Sequence, residues 1–276
     1  MCSREPVVAD GHVTSYVADR RHFSTQKIVI PHRNTAAASG VRPSMKTIGF
    51  IGAGNIGSTV ARLAINAGFR VLMSNRRGPE SLGDLIAELG PLAEAVTPAE
   101  AASRGDLVVV TVPLHGIDDL PVAELAGKTV IDTNNYYPER DGRIEALDSR
   151  ETTTSQMVRD RLPDSEVVKA LNSIVFLHLA QLARPKDATD RSTLPIAGDS
   201  STAKATVTEF LTAIGYDVLD AGDLSEGWRF ERGQPVYCLP YAADPEAMRD
   251  SAPGSRPTGA APASRDTIAR LLEQAS

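Results

Sequence analysis

The alternation of apolar and polar segments predicts strands and helices in turn from Met45 onward. Short apolar runs, bounded by glycine, proline or polar residues, predict strands at 46–52, 70–74, 106–113, 128–135, 165–171, 192–199 and 216–222. Strands that alternate with helices are typical of a doubly wound sheet. We therefore expect an α/β fold: a Rossmann-like, doubly wound, mostly parallel sheet of about eight strands with helices on both faces.

Helical periodicity occupies the intervals between these strands. Apolar residues recur at helical spacing over 55–66, and Thr97 to Glu100 form a capping box that starts another helix. Further helices are predicted at 81–89, 152–162, 175–183 and 201–214. An amphipathic helix at 265–274 is expected to dock on the body of the protein.

The chain divides into three parts. Residues 45–241 carry the regular pattern of one domain, and residues 242–276 form a Pro/Ala-rich tail with a C-terminal helix. Residues 1–44 have a net charge of +3 and no clear periodicity, which predicts a disordered or non-native extension. A transit peptide is the alternative for residues 1–44, whereas a secretory signal is not indicated, since no apolar core with a small-residue cleavage site is present.

Composition and charge argue against several classes of function. The net charge of −6 disfavours a nucleic-acid-binding surface. Two cysteines indicate neither a disulfide framework nor a zinc cluster, so no metal site is expected. No apolar run approaches the ~20 residues that span a bilayer. We expect a cytoplasmic protein that binds neither nucleic acid nor membrane.

The segment IGFIGAGNIG carries the main candidate for ligand binding. Gly52, Gly54 and Gly57 form a G-x-G-x-x-G motif between a predicted strand and a predicted helix, as in dinucleotide-binding loops. The first glycine makes a tight turn, the second lets backbone approach a pyrophosphate, and the third lets the helix pack on the strand. The helix N-terminus, at Asn55 and Ile56, then faces the phosphates with free N–H groups.

The end of the second predicted strand indicates which dinucleotide binds. An Asp or Glu there would bind the ribose 2′-hydroxyl of NAD. The chain has Ser74, Asn75, Arg76 and Arg77 instead. A hydroxyl and guanidinium groups suit a 2′-phosphate, because arginine offers planar, charged donors. The sequence therefore predicts NADP; the alternative is a pair of arginines on a solvated surface.

Further site candidates follow the next predicted strands. Ligands of this fold lie beyond the carboxyl ends of the strands, so Val112, Pro113 and Leu114 are expected beside the nicotinamide. His115, next to them, is either an acid–base group or a loop histidine that packs near the cofactor. Residues 132–142, rich in polar and aromatic side chains, either line the site or form a loop.

Six motifs together resemble the NADP-dependent reductases of the 8-hydroxy-5-deazaflavin coenzyme, coenzyme F-420. They are, in chain order, IGFIGAGNIG, SNRRGPES, VTVPLHGI, VVKALNSI, PIAGDS and LDAGDLSEGWRFE. The resemblance implies that residues 45–241 are an NADP-binding oxidoreductase domain and that NADP lies over the glycine loop. It implies direct hydride transfer between the nicotinamide and a small-molecule redox co-substrate, the deazaflavin, and it implies a homodimer.

The resemblance also assigns site residues. It implies that Ser74, Arg76 and Arg77 hold the 2′-phosphate, and that Ala170 and Asn172 lie near the nicotinamide and the second ring. It requires no nucleophile or base, since the protein mainly positions the rings and excludes water. Many members that use the deazaflavin have a histidine at the position of Asn172. Asparagine forms hydrogen bonds but cannot titrate, which bears on the acceptor rather than on NADP.

Other interpretations stay open. Reductases of another small acceptor, of the imine or hydroxyacid type, share the first half but add a long helical domain, whereas this chain returns to strand–helix–strand after Ser173. The cytosolic part of ferric-reductase membrane proteins is also similar. A non-catalytic NADP sensor could cover the nicotinamide face, whereas an enzyme leaves that face open to a second ligand.

Overall fold

The structure is a computed structural model that describes residues 47–249 and 259–276. The predictions for residues 1–44 lie outside the described residues. The strands in the described part are β1 (Thr47–Ile51), β2 (Arg70–Ser74), β3 (Ala93–Ala95), β4 (Leu107–Val110), β5 (Thr129–Asp132), β6 (Glu166–Lys169), β7 (Thr193–Gly198) and β8 (Asp217–Asp220).

Helices connect these strands and cover both faces of the sheet. The α-helices are α1 (Asn55–Asn66), α2 (Gly83–Leu89), α3 (Pro98–Arg104), α4 (Val122–Leu125), α5 (Pro138–Asp141), α6 (Glu145–Asp148), α7 (Thr154–Arg161), α8 (Phe176–Leu182), α9 (Ser201–Ala213), α10 (Pro245–Arg249) and α11 (Arg265–Glu273). Short 3-10 helices lie at Pro79–Leu82, Leu114–Asp119, Leu224–Phe230 and Leu239–Tyr241.

The strands form one sheet in the order β3-β2-β1-β4-β5-β6-β7-β8. Strands β1 to β6 are parallel, β7 runs antiparallel to β6, and β8 is parallel to β7. The order of the first six strands is that of a Rossmann fold, with helical crossovers on both faces. The predicted doubly wound, mostly parallel sheet of eight strands is confirmed.

The sequence prediction differs from the structure in which strands exist and in where a strand ends. Strand β3 has no apolar run, because its three residues form a half-buried edge that pairs only with β2. Strand β4 ends at Val110, whereas the apolar run suggested a strand as far as Pro113. The residues after Val110 leave the sheet because a proline and a 3-10 helix follow, so their apolar side chains belong to a loop.

The core lies on both faces of the sheet, as its parallel strands require. Successive buried residues of one strand point to opposite faces: Ile48 and Phe50 join one apolar cluster, and Ile51 joins the other. Helix α11 adds Ile268 and Leu272 to the first cluster and packs on β7 and β8. Among the described residues, no helix has the length and apolar character needed to cross a membrane.

Helix α3 packs directly against the backbone of β1 at Gly49. A Cβ atom at Gly49 would lie 2.1 Å from the carbonyl oxygen of Ala101, in the middle of that helix. The sheet and the helix can approach this closely only because residue 49 has no side chain.

We expect Gly49→Ala to lower the free energy of unfolding by about 1–3 kcal/mol, because the added methyl group forces α3 away from β1. Chemical denaturation measures the change. Gly83→Ala is the matched control: Gly83 has helical backbone angles, and a Cβ there would meet no atom within 4 Å. That control should be neutral or stabilising by about 0.4–1 kcal/mol. A Gly49→Ala protein as stable as the wild type would contradict this packing.

Candidate functional site

The strand register brings the carboxyl ends of five strands into one row. In spatial order, this row contains Ser74, Ile51, Val110, Asp132 and Lys169. Each is the last residue of its strand, so the connecting loops begin together at one edge of the sheet. This edge includes the junction of β1 and β4, where the strand order reverses, and open α/β sheets bind ligands at such a point.

The glycine loop joins β1 to α1 at this edge. Gly52 has a positive φ of 117°, and its N–H donates to the carbonyl oxygen of Ser74 at 3.0 Å. A Cβ at Gly57 would lie 2.3 Å from the carbonyl oxygen of Gly52, so α1 packs against the turn. A Cβ at Gly54 would meet no atom within 4 Å. Gly54 therefore presents open backbone, and Gly52 and Gly57 serve the packing.

Thr111 fixes the glycine loop from the neighbouring strand. It is the first residue after β4, and its hydroxyl donates to the carbonyl oxygen of Gly52 at 2.8 Å. The hydroxyl oxygen of Thr111 would lie only 2.5 Å from a Cβ atom at Gly52. Sequence reasoning missed Thr111; the available signal was a hydroxyl group directly after a buried strand that pairs with β1.

The N-terminus of α1 opens onto the same edge. Gly54 is the N-cap residue, no side chain caps the helix, and its first turn carries no acidic residue. Asn55 is exposed and Ile56 is half-buried. The first-turn N–H groups and the positive end of the helix dipole suit an anion at this position.

Ser74, at the end of β2, and Asn75, the next residue, both form hydrogen bonds within the protein. Ser74 is fully buried, and its hydroxyl donates to the carbonyl oxygen of Phe50 at 2.7 Å. The Ser74 hydroxyl is therefore engaged with the sheet in this structure, and its contact with a 2′-phosphate stays a prediction. Asn75 donates to the hydroxyl of Ser81 at 2.9 Å and accepts from the N–H of Arg77 at 2.8 Å, which shapes the turn.

The two arginines of this loop extend into solvent. Arg76 lies 3.7 Å from the carboxylate of Asp119, and the two side chains are 83% and 66% exposed. Asp119 belongs to the 3-10 helix after β4, so this loose pair bridges the loops that follow β2 and β4. Arg77 is exposed, and its guanidinium has no hydrogen-bond or ion-pair partner among the described residues. Both guanidinium groups can turn towards an anion.

The residues that follow β4 differ in their exposure to solvent. Val112 is half-buried, Pro113 is exposed and Leu114 is buried. The side chain of His115 is half-exposed, and its Nδ1 lies 3.4 Å from the carboxylate of Asp141. The structure thus connects His115 to the 132–142 loop, which lies at the site rather than apart from it.

Asp141 is the anchor of that loop. Its carboxylate accepts hydrogen bonds from the Arg140 guanidinium at 2.8 Å and from the N–H of Tyr137 at 3.0 Å. Burial opposes the ionised form of Asp141, but Arg140, the Tyr137 N–H and His115 together hold its pKa below the usual value. The carboxylate is therefore charged near neutral pH and holds His115 beside the loop.

Asn172 lies just beyond β6 with a fixed amide orientation. Its Nδ2 donates to Asn135 Oδ1 at 3.2 Å and to the carbonyl oxygen of Phe230 at 3.0 Å. Because the Phe230 carbonyl can only accept, the nitrogen must face it. Asn172 Oδ1 is buried without a hydrogen-bond partner among the described residues. Ala170, the other candidate here, is fully buried, and its position near the cofactor stays a prediction.

A buried lysine was missed by sequence reasoning. Lys169 is fully buried, and its ammonium group is hydrogen-bonded to Asn134, Thr154 and Ser155 and ion-paired with Glu231. The signal was a lysine among the apolar residues of VVKAL, at 167–171. A fully buried charge needs such partners, since leaving it unpaired would be very unfavourable.

A cavity of about 770 Å³ lies beside this cluster and does not include the glycine loop. Its walls include Tyr136, Trp228, Glu231 and Arg232. Arg232 forms two hydrogen bonds to Glu139, at 2.8 and 2.9 Å, and these bonds lower the pKa of that carboxyl to about 2. The cavity therefore adjoins the side of the site formed after β5 and β6.

Known proteins are similar to this chain over its dinucleotide-binding part. Residues 47–136 match the family model described as "NADP oxidoreductase coenzyme F420-dependent". Metalloreductase STEAP3 of Rattus norvegicus is 30% identical over 196 residues, which is 70% of this chain and 37% of the relative. The chain thus spans well under half the length of that curated relative.

Solved structures share the fold over a similar extent. A hypothetical protein from Sinorhizobium meliloti is 30% identical with a TM-score of 0.62, over 71% of this chain and 95% of that one. A protein assigned as an F420-dependent NADP-reductase, from Arthrobacter sp. FB24, is 23% identical with a TM-score of 0.55, over 65% of this chain and 86% of that one. The latter likeness supports the fold alone. With its glycine loop, its sheet order and the family model that matches residues 47–136, the chain has a Rossmann-type fold whose N-terminal part is similar to the coenzyme F420-dependent NADP oxidoreductases.

Proposed function

We propose that residues 45–241 bind NADP(H) across the glycine loop and transfer a hydride between its nicotinamide and the deazaflavin ring of coenzyme F-420. The observation that carries the NADP half is that open backbone at Gly54 and the exposed guanidinium groups of Arg76 and Arg77 occur at the same edge of the sheet. Open backbone at a helix N-terminus suits a pyrophosphate. Exposed guanidinium groups one loop away suit a 2′-phosphate.

The remaining residues position the rings. Val112 and Pro113 offer an apolar surface for one side of the nicotinamide, next to the half-exposed His115. Leu114 is buried beneath them and supports the segment. When both ligands are bound, they supply the hydride donor and the hydride acceptor. The protein then has to hold the rings in contact and exclude water, which accounts for much of such a rate enhancement.

The second substrate is the less constrained half of this proposal. Asn172 and Asn135 lie beyond the ends of β6 and β5, where the face of a nicotinamide beside β4 would be open. Asn172 Oδ1, which has no partner among the described residues, can accept a hydrogen bond from a planar heterocycle, and neither amide can exchange a proton. This chemistry suits an acceptor that takes a hydride at carbon. The metalloreductase relative makes a metal acceptor the competing candidate.

We expect Arg76→Ala to weaken NADPH binding by about 1–3 kcal/mol, because a charge-assisted contact to the 2′-phosphate is lost. NADH binding should change little, since NADH has no 2′-phosphate. Titration of the intrinsic fluorescence of the reduced cofactors measures both dissociation constants. Arg104→Ala is the matched control: Arg104 is an exposed arginine, paired with Glu94, that ends the helix before β4.

The control should bind both cofactors like the wild type. Equal losses for NADPH and NADH in the Arg76 variant would exclude a role in 2′-phosphate recognition. A loss for NADPH in the Arg104 variant would show that the measurement reports net charge rather than the site. Arg76→Lys keeps the charge but not the planar pair of donors, and should fall between the wild type and the alanine variant.

We expect the purified protein to oxidise NADPH only when coenzyme F-420 is present, with NADH as a much poorer donor. Absorbance of both cofactors, followed together, gives the stoichiometry of one hydride per NADPH. Parallel reactions contain a free flavin or a ferric chelate in place of F-420. Faster turnover with the free flavin or with the ferric chelate would make that compound, and not coenzyme F-420, the better candidate for the acceptor. Tight NADPH binding without turnover on any acceptor would instead favour the sensor.

A further inference from the structure

Lys169 stands at the centre of the second-substrate half of the site. It is the last residue of β6, and its side chain is fully buried. A Cβ at Gly227 would lie 2.7 Å from Lys169 Cδ, so the 3-10 helix at Leu224–Phe230 covers the aliphatic part of the lysine closely. A side chain at residue 227 would therefore collide with the aliphatic part of Lys169, so residue 227 must be small.

The ammonium group joins three segments that are distant in sequence. It donates to the carbonyl oxygen of Asn134 at 3.0 Å and to the hydroxyls of Thr154 and Ser155 at 2.8 and 3.1 Å. It forms an ion pair with Glu231 at 2.8 Å. These partners belong to the loop after β5, the first turn of α7 and the segment after the 3-10 helix. One cation thus fixes all three segments to the end of β6.

The charges of this cluster depend on the lysine. Asp132 is fully buried, with its Oδ2 4.0 Å from the ammonium group, and accepts hydrogen bonds from Ser155 and Asn134. The side chain of Glu231 is 16% exposed. Without the cation, the buried Asp132 carboxylate and the mostly buried Glu231 carboxylate would both lose their positively charged partner, which is strongly unfavourable for buried carboxylates.

The residues that Lys169 holds are adjacent in sequence to those that Asn172 holds. Lys169 binds Asn134 and Glu231, while the Asn172 side chain binds Asn135 and Phe230. Each of the two segments, 134–135 and 230–231, is thus held twice at the end of β6, once by Lys169 and once by Asn172. If either segment moved away from Lys169, the oxygen atom in that segment that accepts a hydrogen bond from the Asn172 amide would move with it.

We propose that Lys169 is a positioning residue for binding and reaction of the second substrate, acting through the 134–135 and 230–231 segments on Asn172. It does not touch the dinucleotide. Its link to turnover rests on the function proposed above, while its effect on the two segments does not. Nothing in this role requires Lys169 to donate or accept a proton during the reaction.

Lys169→Met tests the inference, because methionine fills the aliphatic path but cannot donate. In the folded variant we expect kcat/KM for coenzyme F-420 to fall about 10- to 100-fold, as for a misplaced ring, while the NADPH dissociation constant stays at the wild-type value. Amide hydrogen exchange should become faster at 133–137 and at 229–233. Simple loss of folded protein would lower kcat without changing either KM, and it would speed exchange along the whole chain rather than at these two segments.

Gly227→Ala is the second variant, since it displaces the lysine from outside without removing its charge. Exchange should become faster at 133–137, because the added methyl group would push on Lys169, which holds Asn134. Lys128→Met is the control: Lys128 also donates to two backbone carbonyls, of Ser103 and Gly105, but just before the start of β5. Lys128→Met should leave three measurements unchanged: amide hydrogen exchange at 133–137, kcat/KM for coenzyme F-420 and the NADPH dissociation constant.

Unchanged exchange at 133–137 in either folded site variant would overturn the proposal, and so would a loss of NADPH affinity equal to the loss for F-420. If Lys169→Met does not fold, Gly227→Ala decides alone. If the wild-type protein does not turn over F-420, the proposed acceptor fails. The exchange measurements then still decide whether Lys169 positions the two segments.

Discussion

The parallel register of β1, β4, β5 and β6 is the constraint on which the site depends. Because these strands end in one row, the glycine loop, the Thr111–His115 segment, the 132–142 loop and Asn172 begin at the same edge. None of them would meet without that register, since they are far apart in sequence. The register in turn rests on strands buried on both faces, whose apolar residues alternate between two clusters.

Loops that begin at a buried edge bring polar groups into the protein interior, and each must find a partner. At β1 and β4 the solution is local: Thr111 and Ser74 satisfy backbone carbonyls of the neighbouring strand. At β5 and β6 the solution is a charged cluster around Lys169. Buried ion pairs add little net stability compared with apolar packing. The cluster is therefore better explained by the geometry it imposes than by the stability it adds.

The sequence predicted what depends on local pattern and missed what depends on pairing. Gly52, Gly54 and Gly57 have conformational roles that follow from spacing, and seven strands followed from apolar runs. Strand β3 was missed because its edge position needs no apolar run. The burial of Ser74 was not predicted, because a serine at a strand end looks the same in the sequence whether its hydroxyl faces solvent or the sheet. Thr111 and Lys169 gained their importance only from partners far away in the chain, which spacing along one chain does not indicate.

The same division explains why the two ligands are constrained unequally. The matched family segment, residues 47–136, contains the glycine loop, both arginines and the segment after β4, and it ends just before Tyr137. The second half of the site joins the loop that begins after β5, at the end of this segment, to residues 137–241, whose contacts connect Asn172, Phe230 and Glu231 across the molecule. A dinucleotide needs a few local features that many chains share. The acceptor is instead selected by loops held through long-range contacts, so relatives can keep the cofactor and change the acceptor by altering these contacts.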